Sequence, residues 1–165
     1  MSAPVDIAEF RAAMARFPGA VTIVTARDGA ERRGITATAV CSVSAEPPSL
    51  LVCLNRKTGT CAAVAGTGRF AVNLLTGDGG DVAMVFAGAT GASGAAKFDQ
   101  GDWQEDAAGL PVLRDALLNF SCEVAERIEA GSHCIFIGHI TAIRHGEGPA
   151  LVYEQSRFHR LSPLS

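Results

Sequence analysis

Residues 55 to 60, Asn55-Arg56-Lys57-Thr58-Gly59-Thr60, put two cations and two hydroxyls into one short stretch, just where a helix should begin at Cys61. The first amides of a helix lack carbonyl partners and the helix dipole is positive there, so such a stretch can hold an anion, a phosphate for example. An ordinary solvated turn capped by Thr58 would carry the same residues. The preceding segment adds a second feature. From Ile35 to Ser44 the odd positions (Ile35, Ala37, Ala39, Cys41, Val43) are apolar, while Thr36, Thr38, Ser42 and Ser44 carry hydroxyls, with Val40 the exception. Period two marks a strand with one face on a core. Its other face offers short hydroxyls and open backbone to a flat ligand. A ring held by one segment and an anion held by the next describe a phosphorylated aromatic cofactor.

Several elements must position these residues. Ile7, Phe10, Met14 and Phe17 recur at helical spacing over Asp6 to Arg16, so an amphipathic helix with its apolar stripe in the core is expected. Pro18-Gly19 ends it. The β-branched run Ala20 to Thr25 turns at Asp28-Gly29 into the hydroxyl strand. After Pro47-Pro48, the continuous apolar run Ser49 to Leu54 predicts a strand buried on both faces, followed by the cationic stretch and a short helix, Cys61 to Ala65, stopped by Gly66 to Gly68. Arg69 to Leu75 is a further strand and Asp78 to Ala87 a helix. Gly88 to Ala96 has no periodicity and predicts a loop. Leu118 to Ala125 alternates, and the loop Glu129 to His133 leads to its partner, Cys134 to Ile143. Ala150 to Tyr153 and Arg157 to Leu161 close the chain. Short antiparallel strands joined by Gly-containing turns, with two or three helices, predict a mainly β fold, a small closed barrel.

Composition narrows the partners. A chain of 165 residues is expected to form one domain, residues 1 to 165. Apolar residues make up 48% and charged ones 19%, an imbalance that predicts a homodimer covering part of the apolar surface. Net charge is −3 and no Lys or Arg run exceeds two, which disfavours nucleic acid. The acidic start MSAPVDIAEF lacks the order of a secretion signal, and no apolar stretch nears the ~20 residues of a membrane span, so a cytoplasmic location is expected. Cys41, Cys53, Cys61, Cys122 and Cys134 form no CxxC pair and are read as core thiols, with no metal site.

The remaining chemistry is sparse. There is no GxGxxG between strand and helix, no GKS or GKT phosphate loop, no GxSxG elbow and no HExxH pair. A reaction carried by a bound aromatic cofactor asks little more of side chains than position and hydrogen bonds.

The blocks GITATAVCSVS and PPSLLVCLN, with FRAAMARFPGAVTIVT before them and YEQSRFHRL at the end, resemble the short flavin reductases that serve as the small component of two-component monooxygenases. Among these it resembles the reductase of 4-hydroxyphenylacetate 3-monooxygenase and the flavin reductase of pyrimidine breakdown. The resemblance implies an antiparallel FMN-binding split barrel that passes hydride from NADH or NADPH to FMN or FAD and supplies a separate monooxygenase by diffusion of reduced flavin. On it, Thr36, Ala37 and Thr38 would line the isoalloxazine with Ser42 nearby, and Asn55, Arg56, Thr58 and Thr60 would hold the ribityl phosphate. Two or three charge-assisted bonds of ~1.5–3 kcal/mol each suffice for roughly micromolar binding. Lys97, in a Lys-Phe pair, would be an auxiliary cation. His133 matches a position associated with nicotinamide, with Ser132 where the family has Asp or Thr, and is the one catalytic candidate. Phe158 would cover the nicotinamide. The same fold is also compatible with reduction of a bound substrate such as a corrin, or with flavin binding without turnover.

Overall fold

The computed structural model describes all 165 residues. Its elements are α1 (Ile7–Ala15), β1 (Gly19–Ala20), β2 (Thr22–Asp28), β3 (Glu31–Ala37), β4 (Val40–Ala45), β5 (Pro48–Asn55), α2 (Gly59–Thr67), β6 (Arg69–Leu74), α3 (Gly80–Phe86), a 3-10 helix (Gly94–Asp99), β7 (Trp103–Glu105), β8 (Pro111–Leu113), β9 (Leu118–Ala130), β10 (His133–His145), β11 (Leu151–Glu154) and β12 (Arg157–Arg160). A seven-stranded antiparallel sheet, in the order β3-β2-β6-β9-β10-β5-β4, forms the barrel. It is not closed by a ladder. Its two edge strands, β3 and β4, are consecutive in the chain and joined only through Thr38 and Ala39, so the barrel is split at that link. The closed barrel read from the strand pattern alone is thus an open one, the split barrel that the resemblance implied.

β2 explains why its sequence is apolar almost throughout. Val24 and Ala26 face the barrel interior with Val52, Leu54, Phe70 and Phe136, while Ile23 faces a second core with Leu75, Phe86 and Phe98 under α3 and the 3-10 helix. Both faces are dry. α2 closes one end of the barrel through Cys61, Ala63 and Val64. It begins where Thr58 Oγ1 accepts from the Cys61 amide at 3.2 Å, and it ends at Gly68, in the left-handed conformation at φ 68°.

A buried polar network ties β8 to this sheet. Asn73, fully buried, donates from Nδ2 to Ile23 O at 2.9 Å, and its Oδ1 accepts from Leu113 N at 2.9 Å and from Asn119 Nδ2 at 2.7 Å. Arg144 Nε then donates to Asn119 Oδ1 at 2.8 Å.

Three sequence expectations are revised. The uninterrupted strand Ile35 to Ser44 breaks at Thr38-Ala39 and changes phase there. Ile35, Ala37 and Val40 all pack against the barrel core, whereas Cys41 and Val43 are exposed. Val40, the misfit in the alternation, marks the slip. β5 is buried on one face only, with Leu50, Val52 and Leu54 inside and Leu51 and Cys53 partly exposed outside. The apolar stripe of α1 is not in the core of this chain: Ile7, Phe10, Met14 and Phe17 are 67%, 55%, 48% and 72% exposed, because no other element covers them. Of the five thiols, Cys61, Cys122 and Cys134 are core residues, Cys53 is half-buried and Cys41 is exposed.

Candidate functional site

β3 alternates past two surroundings, and the split barrel leaves space on both sides of it. At its start a small polar corner of about 100 Å³ lies between β3, the first turn of α2 and the 3-10 helix, lined by Arg33, Ile35, Thr58, Thr60 and Lys97 with Gly34, Gly59 and Gly94. Next to it, a cleft of about 210 Å³ runs along Ile35 to Ala39 and is closed by Cys53, Leu54, Asn55 and His133. Behind β3, an aromatic cleft of about 230 Å³ is bounded by Thr36, Thr38, Ala83, Met84, Tyr153 and Phe158. Ile35 belongs to the first two spaces, and Thr38 to the last two. Ring-sized room beside β3 therefore adjoins a polar, cationic corner, with Ile35 in the wall of both.

Each anticipated residue has a defined place. Thr36 Oγ1 donates to Ala83 O at 2.6 Å, which ties β3 to α3 and turns this side chain to the aromatic cleft. Ala37 and Thr38 line the strand cleft, and the carbonyl of Ala37 accepts from Thr22 Oγ1 at 2.6 Å. Ser42, on β4 opposite Leu50, is exposed and lines none of these spaces. Asn55 lines the strand cleft, and its Oδ1 accepts from Lys57 N at 2.9 Å to shape the turn. Thr58 borders the polar corner, but its hydroxyl is committed to Asn55 O at 2.8 Å and to the helix cap. Thr60 is buried in the corner. Arg56 is not brought to it: its guanidinium pairs with Glu129 Oε2 at 3.2 Å and donates to Gly131 O at 3.4 Å. That contact staples the end of β5 to the β9–β10 turn.

Lys97, on the 3-10 helix, points into the corner and donates to Phe86 O at 3.2 Å and Gly34 O at 3.5 Å. Burial lowers its pKa from the ordinary lysine value. A bound anion favours the charged form of Lys97, so binding is coupled to its protonation. The expected result is that affinity for a phosphorylated ligand falls as pH rises, beginning below the range where a free lysine titrates. Lys97→Arg should move that fall to higher pH; a flat pH profile in a titration of the unmodified protein would count against the coupling.

His133 lies opposite Asn55 across the β5–β10 ladder, exposed at the strand cleft, with Nδ1 2.8 Å from Ser132 Oγ. Phe158 packs against Tyr153, the rings tilted by 57° at 5.3 Å between centroids, and the pair lines the aromatic cleft. His133 and Phe158 thus border different spaces, on opposite sides of β3. Cys53, in the strand cleft, has its pKa raised by burial and then by the neighbouring thiols, which disfavours a thiolate nucleophile there.

Arg33 was missed by the sequence reasoning. Its Nε is buried without a hydrogen-bond partner, and its side chain runs into the polar corner beside Gly59 and Gly94. An orphaned buried donor in a cationic corner, next to the first amides of α2, suits an anion oxygen. One signal existed. Arg33 shares its face of β3 with Ile35 and Ala37, so a cation stood at the end of an otherwise inward row. The residues present fit a phosphorylated flavin: cationic donors at one end, backbone and small side chains along the strand, and an aromatic-walled space behind.

Comparison with known proteins agrees in scale and kind. The family described as Flavin reductase like domain matches residues 14–162. The 4-hydroxyphenylacetate 3-monooxygenase reductase component of Pseudomonas aeruginosa is 43% identical over 153 residues, 92% of this chain and 90% of that one. An FMN reductase (NADH), RutF, of Stutzerimonas stutzeri is 40% identical, covering 98% of this chain and 92% of its own. Among solved structures, the flavin reductase PheA2 superimposes with a TM-score of 0.88 at 33% identity, over 96% of this chain and 100% of that one. The NADH:FAD oxidoreductase SgcE6 of Streptomyces globisporus, in complex with NAD and FAD fragments, does so with a TM-score of 0.88 at 28% identity, over 99% and 97%.

Proposed function

The chain belongs to the flavin reductase like domain family, and from that premise we propose that it is an NAD(P)H:flavin oxidoreductase. It takes hydride from NADH, or NADPH, to FMN, or FAD, and releases reduced flavin to a separate monooxygenase. The carrying observation is the adjacency of the strand cleft to the polar corner, which share Ile35 and where Arg33 Nε lacks a partner.

Flavin, when bound, supplies the hydride-accepting centre. The chain supplies position. Arg33, Lys97, Thr60 and the first amides of α2 bind the phosphate, while Ala37, Thr38 and Asn55 set the ring along β3. Tyr153 and Phe158 exclude water from the far side, and His133, with its ring oriented by Ser132, offers a hydrogen-bonding group at the rim of the strand cleft. No side chain need exchange a proton with solvent for the transfer itself, which accounts for the short catalytic inventory. The family match, with a relative described as an FMN reductase (NADH), supports turnover over flavin carriage alone. The test is NADH and NADPH oxidation in air with added FMN, FAD or riboflavin. A rate that rises with flavin and saturates is expected; no flavin-dependent oxidation would end this reading.

We also read residues 1 to 165 as one domain that acts as a homodimer in the cytoplasm. The exposed apolar side chains of α1, with Val43, Ile128 and Ile143, support self-association, and five unpaired cysteines support a reducing compartment. No helix is long and apolar enough to cross a membrane. Sedimentation should give twice the 17.1 kDa chain mass, and the double change Phe10→Glu with Phe17→Glu should shift it to the single-chain value. A single-chain mass for the unmodified protein would rule out the dimer.

A further inference from the structure

We propose that Glu31 and Asp28 are internal counter-anions that keep flavin exchangeable, by competing with its phosphate for one prong of the Arg33 guanidinium. The inference rests on the reading of the polar corner as the phosphate seat.

Arg33 reaches the corner between two glycines: a Cβ on Gly59 would lie 3.6 Å from Arg33 Cδ, and one on Gly94 would lie 3.5 Å from Nη1, both ordinary contact distances. At the outer end Nη2 is 2.6 Å from Glu31 Oε2 and 3.7 Å from Asp28 Oδ2. On the inner side Nε is buried and unpaired. Nε and Nη2 are the two donors of the side-on fork with which a guanidinium grips a carboxylate or phosphate in parallel bonds. Here one prong is taken by the chain's own carboxylate and the other is left for a ligand. A phosphate oxygen that satisfies Nε then meets Glu31 at Nη2.

The charge count points the same way. Arg33 and Lys97 are the cations, and Glu31 and Asp28 offset them, so a phosphate dianion enters a balanced neighbourhood instead of a doubly positive one. Lys97 is further diluted by its two backbone carbonyls. The outcome is a seat that recognises a phosphate by geometry while withholding the full attraction of two cations. That suits a protein whose reduced flavin must leave for another active site.

The test compares the unmodified protein with Glu31→Gln, Asp28→Asn and Arg33→Ala by calorimetric titration with FMN and with riboflavin, which lacks the phosphate. Side chains of Glu31 and Asp28 are 62% and 67% exposed, so these two variants should fold as the parent does. In about 20 mM salt, where screening is weak, Glu31→Gln should bind FMN about three- to tenfold more tightly, with slower FMN dissociation and little change for riboflavin. The gain should shrink in high salt. If Glu31→Gln binds FMN equally or more weakly while Arg33→Ala loses FMN selectively, Glu31 only orients Arg33 and the proposal is overturned. If Arg33→Ala leaves the preference for FMN over riboflavin unchanged, the phosphate seat itself is misplaced and both readings fall.

Discussion

Gly34→Ala should cost this protein most of its flavin affinity together with a measurable part of its stability. A Cβ on Gly34 would lie 2.6 Å from Phe86 Cε1, 2.8 Å from Phe86 Cδ1 and 3.3 Å from Phe98 Cζ. Neither ring can retreat. Phe86 is fully buried, Phe98 is 4% exposed, and the two meet edge to face at 4.9 Å with Trp103 packed at an angle against both. β3 must therefore move outward, and it carries Arg33 on one side of Gly34 and Ile35 on the other. Overpacking of this kind costs about 1–3 kcal/mol, roughly 2–12 °C in Tm for a chain of this size. Displacing the phosphate seat from the ring cleft should add a loss of about tenfold or more in FMN affinity. Gly66→Ala is the control: nothing lies within 4 Å of its Cβ, it sits inside α2, and it should be neutral or slightly stabilising. Flavin titration and thermal melts of the two variants decide the matter, and a Gly34→Ala protein with parental affinity would show that β3 does not form the site wall.

Asn73→Leu should be the most damaging single change to the fold. The replacement has a similar size but no polar atoms, so Leu113 N and Asn119 Nδ2 lose the acceptor they share. Asn119 keeps its bond to Leu113 O at 3.1 Å, whereas Leu113 N has no substitute within the network. The buried Leu113 amide left unpaired costs about 1–3 kcal/mol, and the lost bonds to Ile23 O and Asn119 Nδ2 about 0.5–1.5 kcal/mol each, so a total of about 2–6 kcal/mol is expected, or roughly 4–24 °C in Tm. The consequence reaches the site through β8. Leu113 pairs with Trp103 on β7, and Trp103 backs the Phe86 and Phe98 rings that press on Gly34. The chain has one tryptophan, so its emission reports directly on this loosening. A melt within a degree or two of the parent, with unchanged emission, would mean that β8 is held by other contacts.

Local features were legible in the sequence, and the joins between them were not. The β2–β3 hairpin, α2 with its Thr58 cap and Gly68 terminus, and the β9–β10 pair follow from period, cap and turn chemistry within a few residues. The break at Thr38-Ala39 escaped because alternation runs through it with a single misfit, and only the curvature of the whole sheet requires a phase change there. The α1 stripe has the pattern of a core helix, yet what covers such a stripe depends on a neighbour that the pattern does not name. For the polar corner, the sequence indicated the turn at Thr58 to Thr60 but not Arg33, which lines it where Arg56 does not. Arg56 is adjacent to the helix start, but the β9–β10 turn draws it away, while Arg33 arrives from a strand more than twenty residues earlier through contacts that only tertiary packing creates.

The split at Thr38-Ala39 has a bearing on how the protein survives without its ligand. β3 and β4 each pair with one neighbour only, so two rows of main-chain donors and acceptors end beside the strand cleft without a ladder partner. Unpaired rows of this kind are templates for strand addition between molecules. A bound ring would shield them, and its departure would leave them open to mispairing. Flavin-depleted stock should therefore be the form that clumps on storage, and free FMN should keep it dispersed.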